Sequence, residues 1–183
     1  MKYPEFISRH LRGFLKDCQG LSAVEFGLLL PVMLTLYLGS VELSNGIAAD
    51  RKVSLTARTV ADLASRMTTI HSTDMSNILA ASSSVIAPYA VSNLKVTVSQ
   101  VSIDSKGNPT ITWSDTLNGA AYSVGQSVTV PAGLAVPNTS LVWSEVQYAY
   151  NPLFGRVLTG TLTLKDQMYM APRMSSTVTR INP

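Results

Sequence analysis

The sequence predicts an α+β protein, one long N-terminal helix followed by an antiparallel β-sheet domain. Three observations carry this. The sixteen residues from Phe26 to Val41 hold no charge. A helical period then runs on through Ala49, Val53, Thr56, Val60, Ala64 and Met67. Beyond residue 90 the pattern changes to strict alternation, as in Leu94, Val96 and Val98 against Lys95, Thr97 and Ser99, with Gly, Pro and Asn between such runs.

The apolar run is the first element. With Leu21–Val24 and Leu43 it reaches the roughly 20 residues that a membrane-spanning helix needs. Pro31 is tolerable inside such a helix, as a kink. Charge sets its direction. Residues 1–20 carry Lys2, Arg9, Arg12 and Lys16 against Glu5 and Asp17, leaving +2. Four basic residues ahead of the span place the N-terminus in the cytoplasm and the C-terminal part in the periplasm, crossing the inner membrane once. A secretory signal shares the basic start and apolar core, and Leu38-Gly39-Ser40 offers it a poor cleavage site. The continuing period argues against that alternative. Asp50, Ser54, Arg58, Asp62 and Arg66 recur every four residues on the opposite face, as on an exposed helical surface. The expected organisation is therefore a cytoplasmic basic leader over 1–20, a transmembrane helix over 21–43, its periplasmic continuation over 44–70, and an α+β domain over 71–183.

Composition narrows the function. The net charge of +3 and pI near 9.1 reflect scattered single basic residues rather than a phosphate-tracking patch, so no nucleic-acid partner is expected. Cys18 is the sole cysteine, which excludes an internal disulfide. His10 and His71, the two histidines, fall on opposite sides of the expected membrane. No G-x-S-x-G elbow, P-loop or dinucleotide glycine pattern occurs. No enzyme, cofactor or metal site is expected, and Asp74, Asp104, Asp115 and Asp166 read as caps and turn residues. Trp143, Tyr148, Tyr150 and Tyr169 read as core and sheet-face packing.

The informative motif is Gly20-Leu21-Ser22-Ala23-Val24-Glu25-Phe26. A carboxylate near a bilayer costs up to ~2.5–3.5 kcal/mol at the helix centre, so Glu25 calls for a partner or for snorkelling to the headgroups. A Gly followed after four residues by Glu, at the cytoplasmic edge of an apolar helix, resembles the type IV prepilin cleavage motif. That resemblance implies cutting by a prepilin peptidase between Gly20 and Leu21. Glu25 would then pair with the N-terminal amine of a neighbouring subunit, a group of pKa ~7.7–8.0 and mostly cationic at neutral pH.

The longer stretch Gly20 to Pro31 resembles the start of TadE-like proteins, minor pseudopilins of tight-adherence (Flp) pili. The match lies at Gly20, Ala23, Val24, Glu25, Phe26, Leu28, Leu30, Pro31 and Gly39; Gly27 replaces the commoner Ala. Val146–Leu153 and Leu162–Leu164 look like the family's late strands. TadG relatives share the N-terminal segment but often carry a larger distal domain, and the short chain favours the TadE type. The resemblance implies a pilin-like sheet domain, a role in pilus assembly supporting surface adhesion and biofilm formation, and a set of partners. These are the prepilin peptidase, the major Flp pilin, other minor pseudopilins and the inner-membrane assembly platform. Glu25 and Phe26 would serve assembly. Gly27, Pro31, Gly39 and the small Ser40 would shape helix packing. The competing class is an uncleaved membrane-anchored adhesin or scaffold.

The remaining elements follow in order. Ser72-Thr73-Asp74 offers N-cap chemistry for a second helix with Met75, Ile78, Leu79, Ser82 and Ile86 on one face, stopped by Pro88. Residues 93–116 read as a hairpin turning at Ser105–Asn108. Residues 117–140 form a long excursion, with a helical turn expected over Ala132–Ala135 after Pro131. A third strand puts Val142, Val146, Tyr148 and Tyr150 on one face. A loop follows over 151–160, and the last strand aligns Leu162, Leu164, Met168 and Met170.

Overall fold

The computed structural model describes residues 18–152 and 160–181, with side chains from residue 22 onward. The leader up to residue 17 and the centre of the expected 151–160 loop lie outside the described residues. The chain divides into two compact units, Met1–Leu43 and Ser44–Pro183.

Helix α1 spans Cys18–Ser65, followed by strand β1 (Thr69–Ile70), helix α2 (Ser72–Ile86) and a 3-10 turn at Val91–Asn93. Strands β2 (Leu94–Ile103), β3 (Pro109–Leu117), β4 (Ser140–Tyr150) and β5 (Leu162–Met170) come next, then β6 (Thr179–Arg180). The helix-then-sheet α+β arrangement is as the sequence predicts. The four long strands form an antiparallel sheet in the order β3-β2-β4-β5, and β1 pairs with β6 in parallel. Helix α1 ends at Ser65 rather than running on to residue 70, because Thr69 and Ile70 leave the helix to join β6.

Within the second unit, one face of the sheet meets the helices. Ala49, Val53, Ala57, Val60 and Ala64 of α1 and Met75, Ile78 and Ile86 of α2 are buried with Leu94, Val96, Val98, Val142, Val146, Tyr148 and Tyr150. The α2 stripe therefore falls where its spacing places it. Its start differs from expectation: His71 is the N-cap and Ser72 is already helical. Asp74 is the third residue of the helix, and its carboxylate accepts the backbone N–H of His71 at 2.9 Å.

The other face carries a second, smaller core that the sequence reading lacked. Val101, Ile103, Ile111, Leu141 and Trp143 are buried there beneath Val130 of the 118–139 excursion, with Tyr122 and Val128 packed alongside. A bulge makes this possible. Gln100 pairs with Trp113, but Val101 pairs with Ile111, so Thr112 is the extra residue of β3. Trp113 consequently faces the helices and Ile111 the excursion, although the two are only two residues apart. The aromatic side chains divide in the same way. Tyr148 and Tyr150 join the helix face, while Trp143 stacks between Tyr122 (centroids 5.2 Å apart) and Tyr169 (5.6 Å) on the other.

Where one helical turn is expected over Ala132–Ala135, a hydrogen-bonded turn stands, closed by the Leu134 N–H on the Pro131 carbonyl at 2.8 Å. The turn at Ser105–Asn108 stands as expected. Asp104 caps it by accepting the N–H groups of Lys106 and Asn108, each at 2.8 Å, and these bonds hold its carboxyl below the usual range. Gly107 supplies the left-handed residue, at φ 83°.

Two other aspartates are not turn residues. Asp166 lies within β5, and Asp115 within β3 accepts Nε of Arg180 at 2.9 Å and its Nη2 at 3.3 Å. That contact belongs to a clamp on the C-terminal segment. Gln100 Oε1 accepts the Val178 N–H at 2.7 Å, and Trp113 Nε1 donates to the Val178 carbonyl at 2.7 Å. Ser140 donates its hydroxyl to the Ser176 carbonyl. At the end of α1, Asp62 pairs with Arg173 at 2.7 Å and with Arg66 at 2.6 Å.

Candidate functional site

The residues singled out by the sequence lie on α1 within the first unit. Gly20 and Leu21 fall in the opening turns of the helix, which begins at Cys18. Of the described residues, this helix alone is long and apolar enough to cross a membrane. From Leu21 to Leu43 it rises about 34 Å, enough for a hydrocarbon core of about 30 Å.

Glu25 is exposed near the start of this helix. Its neighbours one turn away are Ser22, Leu28 and Leu29, and none is basic. No described cation pairs with it. Apolar side chains surround it on the helix surface, with Val24 62% exposed and Leu28 72% exposed. In a bilayer, a lone carboxylate so placed is costly until a cation reaches it.

Helical geometry at about 100° per residue sorts the other candidates. Glu25, Val32, Leu36, Gly39 and Leu43 share one stripe to within about 40°. Gly27 and Pro31 lie on the far side, and Phe26 about 100° round from Glu25. The helix-packing residues therefore do not form one surface. Gly39 accompanies Glu25, whereas Gly27 and Pro31 mark a second face.

That second face has its own chemistry. Pro31 has no N–H, so the Gly27 carbonyl one turn earlier lacks its intrahelical donor. A Cβ built on Gly27 would meet nothing within 4 Å, and the same holds at Gly39. Both positions thus leave open space for close approach by another helix. Polar side chains nearby satisfy themselves locally. Thr35 donates to the Pro31 carbonyl at 2.7 Å and Ser40 to the Tyr37 carbonyl at 2.8 Å, so neither hydroxyl is a naked polar group in lipid.

Among the described residues no group of His, Cys, Asp and Glu could hold a metal ion.

Residues 20–62 match the family model of TadE-like proteins. The match opens on Gly20 and takes in Glu25, Phe26, Gly27, Pro31 and Gly39, so the resemblance drawn from the N-terminal motif stands over this segment. It ends at Asp62, before the sheet, and the likeness of Val146–Leu153 to the family's late strands gains no support from it. No curated protein and no solved structure matches the chain.

Proposed function

We propose that the protein is a minor pseudopilin taking part in assembly of tight-adherence (Flp) type IV pili, and through them in surface adhesion and biofilm formation. TadE-like proteins are associated with assembly of these pili, which supports the setting. It inserts once in the inner membrane with its N-terminus in the cytoplasm and its sheet domain in the periplasm. A prepilin peptidase cuts between Gly20 and Leu21. The new α-amino group, or that of a neighbouring pilin, then meets Glu25. The part played is structural rather than enzymatic.

The observation that carries this reading is the isolation of Glu25. It is a carboxylate five residues after Gly20, in an apolar helix, with no cation paired to it among the described residues. Cutting after Gly20 creates a cation that can supply the missing charge, on the same side of the bilayer. The stripe through Gly39 would face the helices of the major pilin or other minor pseudopilins, and the face of Gly27 and Pro31 would meet the assembly platform.

Expression with and without a prepilin peptidase, followed by sequencing of the mature N-terminus, tests the proposal. Leu21 as the first residue in the presence of the peptidase alone is the expected result. An intact leader under both conditions would overturn it and leave an anchored periplasmic adhesin or scaffold.

A further inference from the structure

Among the described residues, the sheet face away from the helices is covered mainly at one end. Three rows cross it by register: Ser99, Trp143 and Tyr169; then Thr97, Glu145 and Gln167; then Lys95, Gln147 and Lys165. The excursion packs on the first row and reaches the edge of the second through Gly119, Ala120 and Tyr122, leaving the rest of both remaining rows uncovered by described residues. Two adjoining recesses lie there, of about 400 and 240 Å³, sharing Glu145 and Gln147. Lys165 and Gln167 complete the larger, Lys95 and Tyr122 the smaller.

These polar groups are held in place by their neighbours. The Tyr122 hydroxyl donates to Glu145 Oε2 at 2.6 Å, which fixes the carboxylate plane and leaves Oε1 to accept. Gln167 Oε1 accepts Trp143 Nε1 at 3.3 Å and the Tyr169 hydroxyl at 3.5 Å, so its NH₂ is turned outward as a donor. Gln147 offers both an acceptor and donors, and the two lysines offer donors. The face thus presents planar, two-point donors and acceptors in alternation, bordered by a stacked Trp143–Tyr169 pair. No large apolar side chain of these two rows is exposed, so the face lacks the apolar anchor that a protein interface centres on. Its charges are mixed, Lys95 and Lys165 against Glu145, so it lacks the run of basic residues that gathers a polyanion.

Hydroxyls that are donor and acceptor at once, arrayed around a ring, match that pattern. We propose that this open half of the sheet binds a neutral oligosaccharide, its hydroxyls held by Glu145, Gln147 and Gln167 with Lys95 and Lys165 at the rim. The site lies wholly within strands β2, β4 and β5 and the excursion, so it stands or falls independently of processing at Gly20.

The test uses the full chain in phosphocholine nanodiscs, which avoid sugar-headed detergents. Cellotetraose, chitotetraose and maltotetraose are titrated calorimetrically, with polygalacturonate as an acidic comparison. Saturable binding of at least one neutral tetrasaccharide is expected. Gln147→Ala and the shape-preserving Glu145→Gln should each weaken it about tenfold or more, while Lys106→Ala in the distant turn leaves it unchanged. The proposal is overturned by the absence of saturable binding for all three neutral sugars, or by binding of polygalacturonate alone that salt abolishes. Equal affinity in Gln147→Ala, Glu145→Gln and the parent would overturn it as well.

Discussion

Trp113 and Val178 are joined at 2.7 Å by the indole N–H on a backbone carbonyl, across 65 residues of sequence. Gln100 holds the N–H of the same residue, so both backbone groups of Val178 are satisfied by side chains of the sheet. Trp113 is 6% exposed and Val178 1% exposed, so these are buried bonds whose loss leaves an orphaned polar group. Trp113→Phe should lower stability by about 2–4 kcal/mol, combining an unpaired carbonyl with a small cavity. Gln100→Leu should speed amide exchange at Val178 while exchange in the β4 amides stays slow. A wild-type denaturation midpoint in Trp113→Phe would refute the clamp.

The pair of Arg180 with Asp115 closes the same segment, with the arginine side chain 9% exposed. A double-mutant cycle on Arg180→Ala and Asp115→Ala should return a coupling of about 1–3 kcal/mol, above the usual yield of a surface ion pair. Coupling indistinguishable from zero would remove this ion pair from the clamp.

Ser144 lies at the centre of the helix-facing core, and its hydroxyl is buried without a hydrogen-bond partner. Removing an unsatisfied polar group restores its desolvation cost. Ser144→Ala should therefore be neutral or raise stability by up to about 1 kcal/mol. A clear loss in the thermal midpoint would mean that the hydroxyl has a role this account omits.

The Tyr122 hydroxyl is pushed from its ordinary 10.0 up to about 12, first by burial and then by its bond to the Glu145 carboxylate. Burial, with the same carboxylate, raises Tyr169 as well. A folded-state value above the unfolded one means that the folded protein holds the proton more tightly. The stability this contributes is complete below pH 10 and is lost as pH rises through about 12. Denaturant midpoints should fall across that window in the parent and fall less in Tyr122→Phe. Parallel curves would remove the Tyr122–Glu145 bond from the account.

Gly20→Trp should block cutting, whereas Glu25→Ala should leave cutting intact and reduce pilus number by about an order of magnitude. Immunoblots of the mature band and counts of surface pili separate the two effects. Normal pili from Glu25→Ala would contradict the pairing role.

Much of this protein is legible along the chain because its signals are local. An uncharged run, a basic start, and a Gly and Glu five apart need no knowledge of distant contacts. The α2 stripe from Met75 to Ile86 and the alternation of Leu94, Val96 and Val98 are likewise read from neighbours three, four or two residues away. The start of α2 is less legible: Ser72, Thr73 and Asp74 all have capping side chains, yet the backbone path makes His71 the N-cap and puts all three inside the helix.

What the sequence by itself determined is the long apolar helix, the charge asymmetry around it, the Gly20–Glu25 motif and the four long strands. The tertiary structure alone decided which side of the sheet each strand residue takes past the bulge. One extra residue, Thr112, reverses the face parity and sends Ile111 and Trp113 to different cores. It also decided that residues 171–181 are clamped rather than trailing, since Gln100, Trp113 and Asp115 find their partners only when β2 and β3 are already paired. Period-two patterns carry alternation but not its origin, and a long-range hydrogen bond leaves no trace in either partner's neighbours.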